Sequence, residues 1–318
     1  MLPGSILSEV YMRQLAVLLL FALPLTALSA RKPDALPDVA HPVYMKVWDG
    51  RLFVAEKSSV RVFSLGDLSQ LAHFGKEGEG PGEFKLGHGA TAIVMDVNSS
   101  HIVVNSAVRV ALFDHQGVFE RQINVGPMMH MLPFGTGFVS QVMIKGNGDA
   151  ASQWIALFDS QGKRLRTLFN TDVPMGMGVG MQVPPHFYGY RVAGGRVYVA
   201  TGRSQPEVTV FDAQGESVAQ IKLEGFPIKL PAEYKRKVED FYQRDVRYKN
   251  YWEYLKKFMI FPDSFPPLRD MLTDGERIYL LTYGEKQGKY PWISINMDGK
   301  ERRDLSLVGT EMSVLELV

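Results

Sequence analysis

Apolar runs of about four to six residues, rich in Val, Ile and Phe, alternate along most of this chain with short clusters of Asp, Asn, Gly and Ser. Runs of that length bounded by turn formers predict β-strands. A signature recurs where strands end. Phe-Asp-x-x-Gly stands at 113–117, 158–162 and 211–215, and Ile295-Asn296-Met297-Asp298-Gly299 is a degenerate copy. Phe63 marks an earlier copy in which Ser64 replaces Asp. The markers at 63, 113, 158, 211 and 295 are separated by 50, 45, 53 and 84 residues. Four strands of about 5–6 residues with their turns need roughly 40–50 residues. Three intervals fit directly. The last fits with about 35 residues of insertion.

The strands, lettered a to d in each repeat, follow from the same pattern. In the second repeat they fall at 92–96, 101–105, 108–113 and 119–125. The first repeat uses 43–47, 52–56, 60–63 and 68–74. The third uses 129–133, 138–143, 154–158 and 165–169. The fourth shows 196–201, 208–211 and 218–223 as b, c and d, and the fifth shows 277–281, 293–296 and 304–307. Sheets of this kind bury both faces when stacked radially, which predicts an all-β propeller of four-stranded blades. Five complete repeats are present.

Within the long interval, Pro231 suits a first helical turn and Pro262 forbids continuation past Phe261. Tyr234, Val238, Phe241, Tyr248, Trp252, Leu255 and Met259 recur at steps of three, four or seven between them. This predicts an amphipathic helical insertion over about 231–261, with Asp245 the one polar residue on the stripe. Lys235, Arg236, Arg244, Arg247, Lys249, Lys256 and Lys257 crowd the remaining surface, diluted by Glu233, Glu239, Asp240 and Glu253. The stripe either lies on the propeller with solvated charges around it, or forms a lid or partner-docking helix at the channel mouth.

The first thirty residues obey a different logic. Arg13 precedes an almost wholly apolar run from Leu15 to Leu28, and the small residues Ala27, Ser29 and Ala30 come before Arg31-Lys32. That order predicts a secretory signal peptide over 1–30, cleaved near Ser29 or Ala30. Residues before Met12 fit its basic start poorly. The apolar run is shorter than the roughly 20 residues that span a bilayer. The domain of interest is then 31–318, exported to the periplasm or beyond, with no stable membrane span after cleavage. Absence of cysteine among the 318 residues removes disulfides, thiolate metal sites and a lipid-acceptor thiol. A net charge of +1 gives no electrostatic case for nucleic acid.

Two stretches carry a resemblance. The segment Phe74-Gly75-Lys76-Glu77-Gly78-Glu79-Gly80-Pro81-Gly82-Glu83-Phe84 resembles the Gly-x-Gly-Pro-Gly-x-Phe connection between blades of NHL-like six-bladed β-propellers. The stretch from Phe265-Pro266-Pro267-Leu268 to Thr273-Asp274-Gly275-Glu276-Arg277-Ile278-Tyr279 is similar to the start of a late blade in the same group. The likeness covers most of 41–309 and implies an exported bacterial propeller of six blades. The five repeats in the chain leave either a ring of five blades or a six-bladed design whose last blade is incomplete, the second being the expectation. It implies fold far more than function, because propellers of this type host binding, scaffolding and enzymatic roles.

Blade geometry places candidate sites. In an antiparallel blade the b–c and d–a connections leave by one face, and the a–b and c–d turns by the other. Here every tight turn is a–b or c–d, and the long connections are b–c or d–a. Elaborated loops on a rigid scaffold are where function gathers. Candidate ligand-binding residues on that face are Glu56, Asn105, Lys145, Arg203 and Tyr283 at the ends of strands b, with His88 and His186 in d–a connections. No catalytic set stands out. Gly78–Gly82 lacks the Lys-Ser/Thr of a phosphate-binding loop. Asn147 and Asp149 are too few oxygens to establish a Ca²⁺ site, so no cofactor is expected. Asp114, Asp159 and Asp212 sit in turns, where an Asp side chain accepts hydrogen bonds from nearby backbone. The leading expectation is a scaffold that binds an unknown protein or small molecule on its long-loop face. The alternatives are a metal-dependent hydrolase, lactonase or lyase with its site in the central channel, which the resemblance allows, and a structural propeller without ligand.

Expressed with its leader in a secreting bacterial host, the protein is expected outside the cytoplasm with Ala30 or Arg31 at its amino terminus. N-terminal sequencing reads this directly; an intact chain held in the membrane pellet would instead reveal a retained anchor.

Overall fold

The computed structural model describes residues 42–308 apart from 87–92, 107–108, 126–127, 146–149, 175–179, 203–204, 225–226 and 284–288, together with Leu36 and 38–40. The expected signal segment lies outside the described residues. His41–Val318 forms one compact unit.

Five four-stranded antiparallel sheets follow in chain order. Blade 1 holds β1 (Tyr44–Trp48), β2 (Arg51–Ala55), β3 (Val60–Ser64) and β4 (Gln70–Phe74). Blade 2 holds β5 (Val94–Val97), β6 (Ile102–Ser106), β7 (Arg109–Phe113) and β8 (Phe119–Asn124). Blade 3 holds β9 (Met128–Phe134), β10 (Gly137–Lys145), β11 (Ala150–Phe158) and β12 (Arg164–Pro174). A two-residue strand, β13 (Met181–Gln182), precedes blade 4, which holds β14 (Tyr190–Ala193), β15 (Arg196–Ala200), β16 (Glu207–Phe211) and β17 (Ser217–Lys222). After the insertion and its strand β18 (Met259–Ile260), blade 5 holds β19 (Asp270–Thr273), β20 (Arg277–Leu281), β21 (Lys289–Asn296) and β22 (Arg302–Val308). The innermost strands of consecutive blades lie side by side. Arg191 of blade 4 comes near enough to Tyr44 of blade 1 to act on its hydroxyl electrostatically, so the inner strands surround a common axis.

The described residues thus form a propeller of five blades, not the six that the resemblance implied. Apart from the two-residue strands β13 and β18, which pair with each other, the described strands are used up by five four-stranded sheets. Several strand bounds also differ from expectation, most of all in blade 3. There β10, β11 and β12 run nine, nine and eleven residues. Lys145 and residues 171–174, expected in loops, therefore extend the ladder.

Four apolar cores join the blades. Phe53, Val62 and Ala55 meet Met95, Ile102 and Phe113 between blades 1 and 2. Val103, Leu112 and Ile123 meet Met131, Phe138 and Phe158 between blades 2 and 3. Ile155 and Leu157 meet Tyr190, Val197 and Val199 next, and Val208, Val210 and Ile221 meet Met271, Ile278 and Ile293 last. These are the alternate residues of each strand, the two faces serving the two neighbours. Among the described residues no such cluster joins blade 5 to blade 1. On the side of β1 turned away from blade 2, Met45 and Val47 remain 58% and 56% exposed.

The repeated turn explains its own conservation of form along the chain. Oδ1 of Asp114 accepts from the backbone N–H groups of Gln116 and Val118 at 2.9 and 2.8 Å. Asp159 accepts from Gln161 and Lys163, both at 2.9 Å, and Asp212 from Gln214 and Glu216 at 3.0 and 2.9 Å. Asn296 does the same for Lys300 and Glu301. The Asp residues are structural clips, as their turn position predicts. The closing glycines have positive φ, +83° at Gly117, and each lies against the outer strand of the preceding blade. A Cβ on Gly117 would sit 2.3 Å from the Phe74 ring, and one on Gly299 would sit 2.7 Å from Ile221. Blade 1, which follows no other blade among the described residues, lacks this glycine, and Leu68 takes the positive φ in its turn.

The insertion departs from a single helix. α1 (Ala232–Arg244) ends where Asp245 turns extended, its carboxylate accepting from the Arg247 backbone and guanidinium at 2.8–2.9 Å. A 3₁₀ turn (Lys249–Tyr251) and the short α2 (Trp252–Leu255) follow. Asp245 competes locally for the backbone, which is why the helix stops there. The aromatic stripe nevertheless stays on one side. Tyr234, Val238, Phe241, Tyr248, Trp252, Leu255 and Met259 share one cluster with Val183, Phe261 and Phe265.

Gly117→Ala is expected to cost about 2–4 kcal/mol, since it meets both backbone strain and the Phe74 ring. Gly194→Ala, also at positive φ but with open space around it, should cost only about 1–2 kcal/mol. Denaturant titration of both variants measures the difference; equal losses would show that docking against the preceding blade contributes nothing.

Candidate binding face

The longest connections do gather at one end of the propeller, but against expectation that end also carries tight ones: only four residues separate β2 from β3, two separate β6 from β7, and three separate β8 from β9. At the short-turn end, Arg51 donates to the His115 carbonyl at 3.0 Å, the His115 ring lies 4.6 Å from Trp48, and Arg121 reaches the Ser160 carbonyl at 2.8 Å. These contacts lace tight turns of neighbouring blades together. At the other end the long connections hold one another. Lys57, after β2, pairs with Glu77 of the blade 1–2 connection at 3.1 Å. Arg109 donates to the Glu79 carbonyl in that connection at 2.7 Å. β13, in the blade 3–4 connection, pairs in parallel with β18 of the insertion. Phe265 of the insertion stacks on Tyr283 at 4.6 Å and 8°. The insertion is therefore fastened to the long-loop end over blades 4 and 5.

The sequence-predicted residues take distinct places there. Glu56 accepts from Arg61 Nε at 2.9 Å, and both side chains are largely covered. The Asn105 amide bridges blades: Oδ1 accepts from the Met131 N–H at 2.9 Å, and Nδ2 donates to the Met131 carbonyl at 3.1 Å. His186 stacks on Tyr188, their ring centres 5.6 Å apart. Tyr283 is buried beneath the insertion. Lys145 ends β10, and its side chain is outside the described residues, as are His88, Arg203, Asn147 and Asp149. Among the described residues, no group of three or more His, Asp or Glu side chains is placed to hold a metal ion.

Two features escape a reading of loops alone. The first is the channel. Lys46 of β1 pairs with Asp96 of β5 at 3.0 Å, and Arg191 of β14 pairs with Asp270 of β19 at 3.1 Å. Each pair spans two neighbouring inner strands. Each carboxylate also accepts from the next backbone N–H, at 2.8 Å for Asp96 and 2.7 Å for Asp270. Partly exposed pairs of this kind contribute about 1 kcal/mol or less, but they fix which charges face the axis. Burial, then Asp96, holds the Tyr44 hydroxyl above its ordinary range, opposed by Arg191. Buried Tyr190 is raised by burial, against hydrogen bonds with Ser140 and the Gln141 backbone. The signal was a charged residue in a short apolar inner strand, visible at Lys46, Asp96, Arg191 and Asp270. Their pairing across blades was not.

The second is an open concavity of about 1070 Å³ at the base of the insertion. Lys229, Lys235 and Asp263 line it with Leu230, Pro231 and Phe261. Lys235 Nζ stands 5.2 Å from the Phe261 ring centre, within cation–π range. The arrangement offers two lysines and the Asp263 carboxylate beside an apolar wall, a net positive lining that suits a ligand or peptide carrying both an anionic and an apolar group.

Tyr283 allows a pH test of how the insertion is seated. Burial pushes its hydroxyl up to about 12, against the nearby Arg269. An unfolded tyrosine ionises near 10. A raised folded value means stability that is whole below about pH 10 and is lost as pH rises towards about 12. Tyr283→Phe should remove part of that loss, on the order of 2 kcal/mol by pH 12. Parallel pH–stability curves for the two proteins would place Tyr283 in solvent.

No protein-family model matches the chain, and no curated protein matches it. The NHL-like resemblance thus has no family match behind it. Solved structures that match include the Pan2 WD40 domain of Neurospora crassa, with 10% identity, a TM-score of 0.41 and coverage of 85% of this chain and 67% of that one. Kuenenia stuttgartiensis hydrazine synthase matches at 13% identity and TM-score 0.39, over 87% and 68%. The β-propeller domain of the Pyrococcus furiosus trilobed protease, described as having an open velcro topology, matches at 10% and 0.37, over 83% and 70%. With TM-scores below 0.5 these matches carry no argument about this chain, which is a β-propeller on the evidence of its own five sheets.

Proposed function

We propose that this protein is an exported scaffold that binds a protein or small-molecule partner on its long-loop end. The observation that carries the reading is the segregation of its connections. The a–b and c–d turns lace blades together, while the longest connections pin each other at the opposite end, where the base of the insertion alone lines an open concavity of about 1070 Å³ that includes two lysines. A rigid scaffold that gathers its variable segments at one end is the usual arrangement for recognition. The leader-like segment over 1–30 supports export, and the folded domain needs no thiol chemistry for it. An anionic group with an apolar neighbour fits the Lys229, Lys235 and Phe261 wall best.

Photo-crosslinking in the producing cell tests the reading. A photoreactive amino acid placed at Lys57 or Lys235 is expected to give discrete adducts. The same probe at Gln116 or Gln161, on the short-turn end, is expected to give none. Adducts that arise equally from both ends, or only from the short turns, would refute the assignment.

A further inference from the structure

The outer limb of the insertion carries a second surface, distinct from the concavity and independent of the partner-binding reading. Over 244–257 the cations are Arg244, Arg247, Lys249, Lys256 and Lys257, against the acids Asp245 and Glu253. Both acids are already engaged, Asp245 with Arg247 at 2.8 Å and Glu253 with Lys256. Among the described residues, Arg244, Lys249 and Lys257 have no carboxylate partner. The acids Glu233, Glu239 and Asp240 lie on α1, with Asp240 one turn before Arg244, while Lys249 and Lys257 lie beyond that helix.

The same limb exposes apolar surface that the fold does not use. Its inward stripe, Tyr248, Trp252 and Leu255, is taken up by the insertion core. Tyr251 and Tyr254, three residues apart on the outer side, are 63% and 48% exposed, and Val246 is 76% exposed. Tyrosines flanked by uncompensated cations are the composition of an interfacial segment. The rings sit at headgroup depth while long basic side chains reach lipid phosphates. No helix among the described residues is long and apolar enough to cross a bilayer, so such contact is peripheral.

We propose that this ridge docks the propeller onto an anionic lipid bilayer. Charge complementarity selects the occupant: cations without partners meet lipid phosphates, and the tyrosines enter the headgroup layer. The β13–β18 pairing and the Phe265–Tyr283 stack hold the limb on the scaffold beforehand, so no helix has to fold at the surface.

Co-sedimentation of residues 31–318 with vesicles tests the proposal. Binding is expected to vesicles of phosphatidylcholine mixed with phosphatidylglycerol at low salt, to weaken in high salt, and to be absent with phosphatidylcholine alone. Lys249→Glu with Lys257→Glu should weaken it by roughly tenfold or more. Tyr251→Ser with Tyr254→Ser should weaken it while leaving its salt dependence in place. Unchanged thermal midpoints would show that both variants fold; Lys249→Gln with Lys257→Gln gives a milder version of the charge test. Equal sedimentation with neutral vesicles, no sedimentation with anionic ones, or indifference to charge reversal would each overturn the proposal. So would binding to an acidic protein probe with none to vesicles. The crosslinking outcome at Lys57 and Lys235 is unaffected by any of these results.

Discussion

The close approach of each repeated turn to the blade before it governs much of this structure. An Asp or Asn carboxyl or amide oxygen ties the turn to itself through two backbone N–H groups. This leaves a glycine at positive φ whose missing side chain admits an apolar residue of the neighbour's outer strand. Local hydrogen bonding and long-range packing are thereby met by the same five residues. The turn cannot be lengthened or given a larger closing residue without moving the adjacent sheet. Variation is consequently pushed to the other end, where connections are not trapped between blades.

That division gives the molecule its polarity. One end is a mesh of short turns, with arginines capping carbonyls of the next blade. The other holds the long connections, the insertion and the open concavity. Between them the axis is lined by Lys46–Asp96 and Arg191–Asp270, each pair joining consecutive inner strands. These charges are compensated on the protein itself and help order the inner strands. Among the described residues, cations without a carboxylate partner on the insertion include Arg244, Lys249 and Lys257.

The insertion shows how a correct pattern can accompany an incorrect element. Its apolar stripe was legible because spacing of three and four survives in any helical turn. The break at Asp245 was not, since a lone Asp on a stripe reads as a tolerated intruder until its carboxylate is seen capturing the Arg247 backbone. Tyr283 is similar. Its position at the end of a strand suggested the channel mouth, whereas Phe265 from the insertion lies flat upon it. Asn105 could be placed near an opening by counting strands, yet its amide is spent on Met131 of the next blade. For Tyr283 and Asn105 the deciding partner is distant in sequence, whereas Asp245 is decided two residues on.

What the amino-acid order determined alone was the module: four short strands, a clipped turn, and long linkers assigned to one side. These depend on alternation, on turn chemistry and on strand direction, all of which act within a few residues. The number of blades, the pairing of channel charges and the seating of the insertion on the scaffold were decided by tertiary structure. They arise where one sheet or connection meets another, and no local pattern records which distant surface arrives.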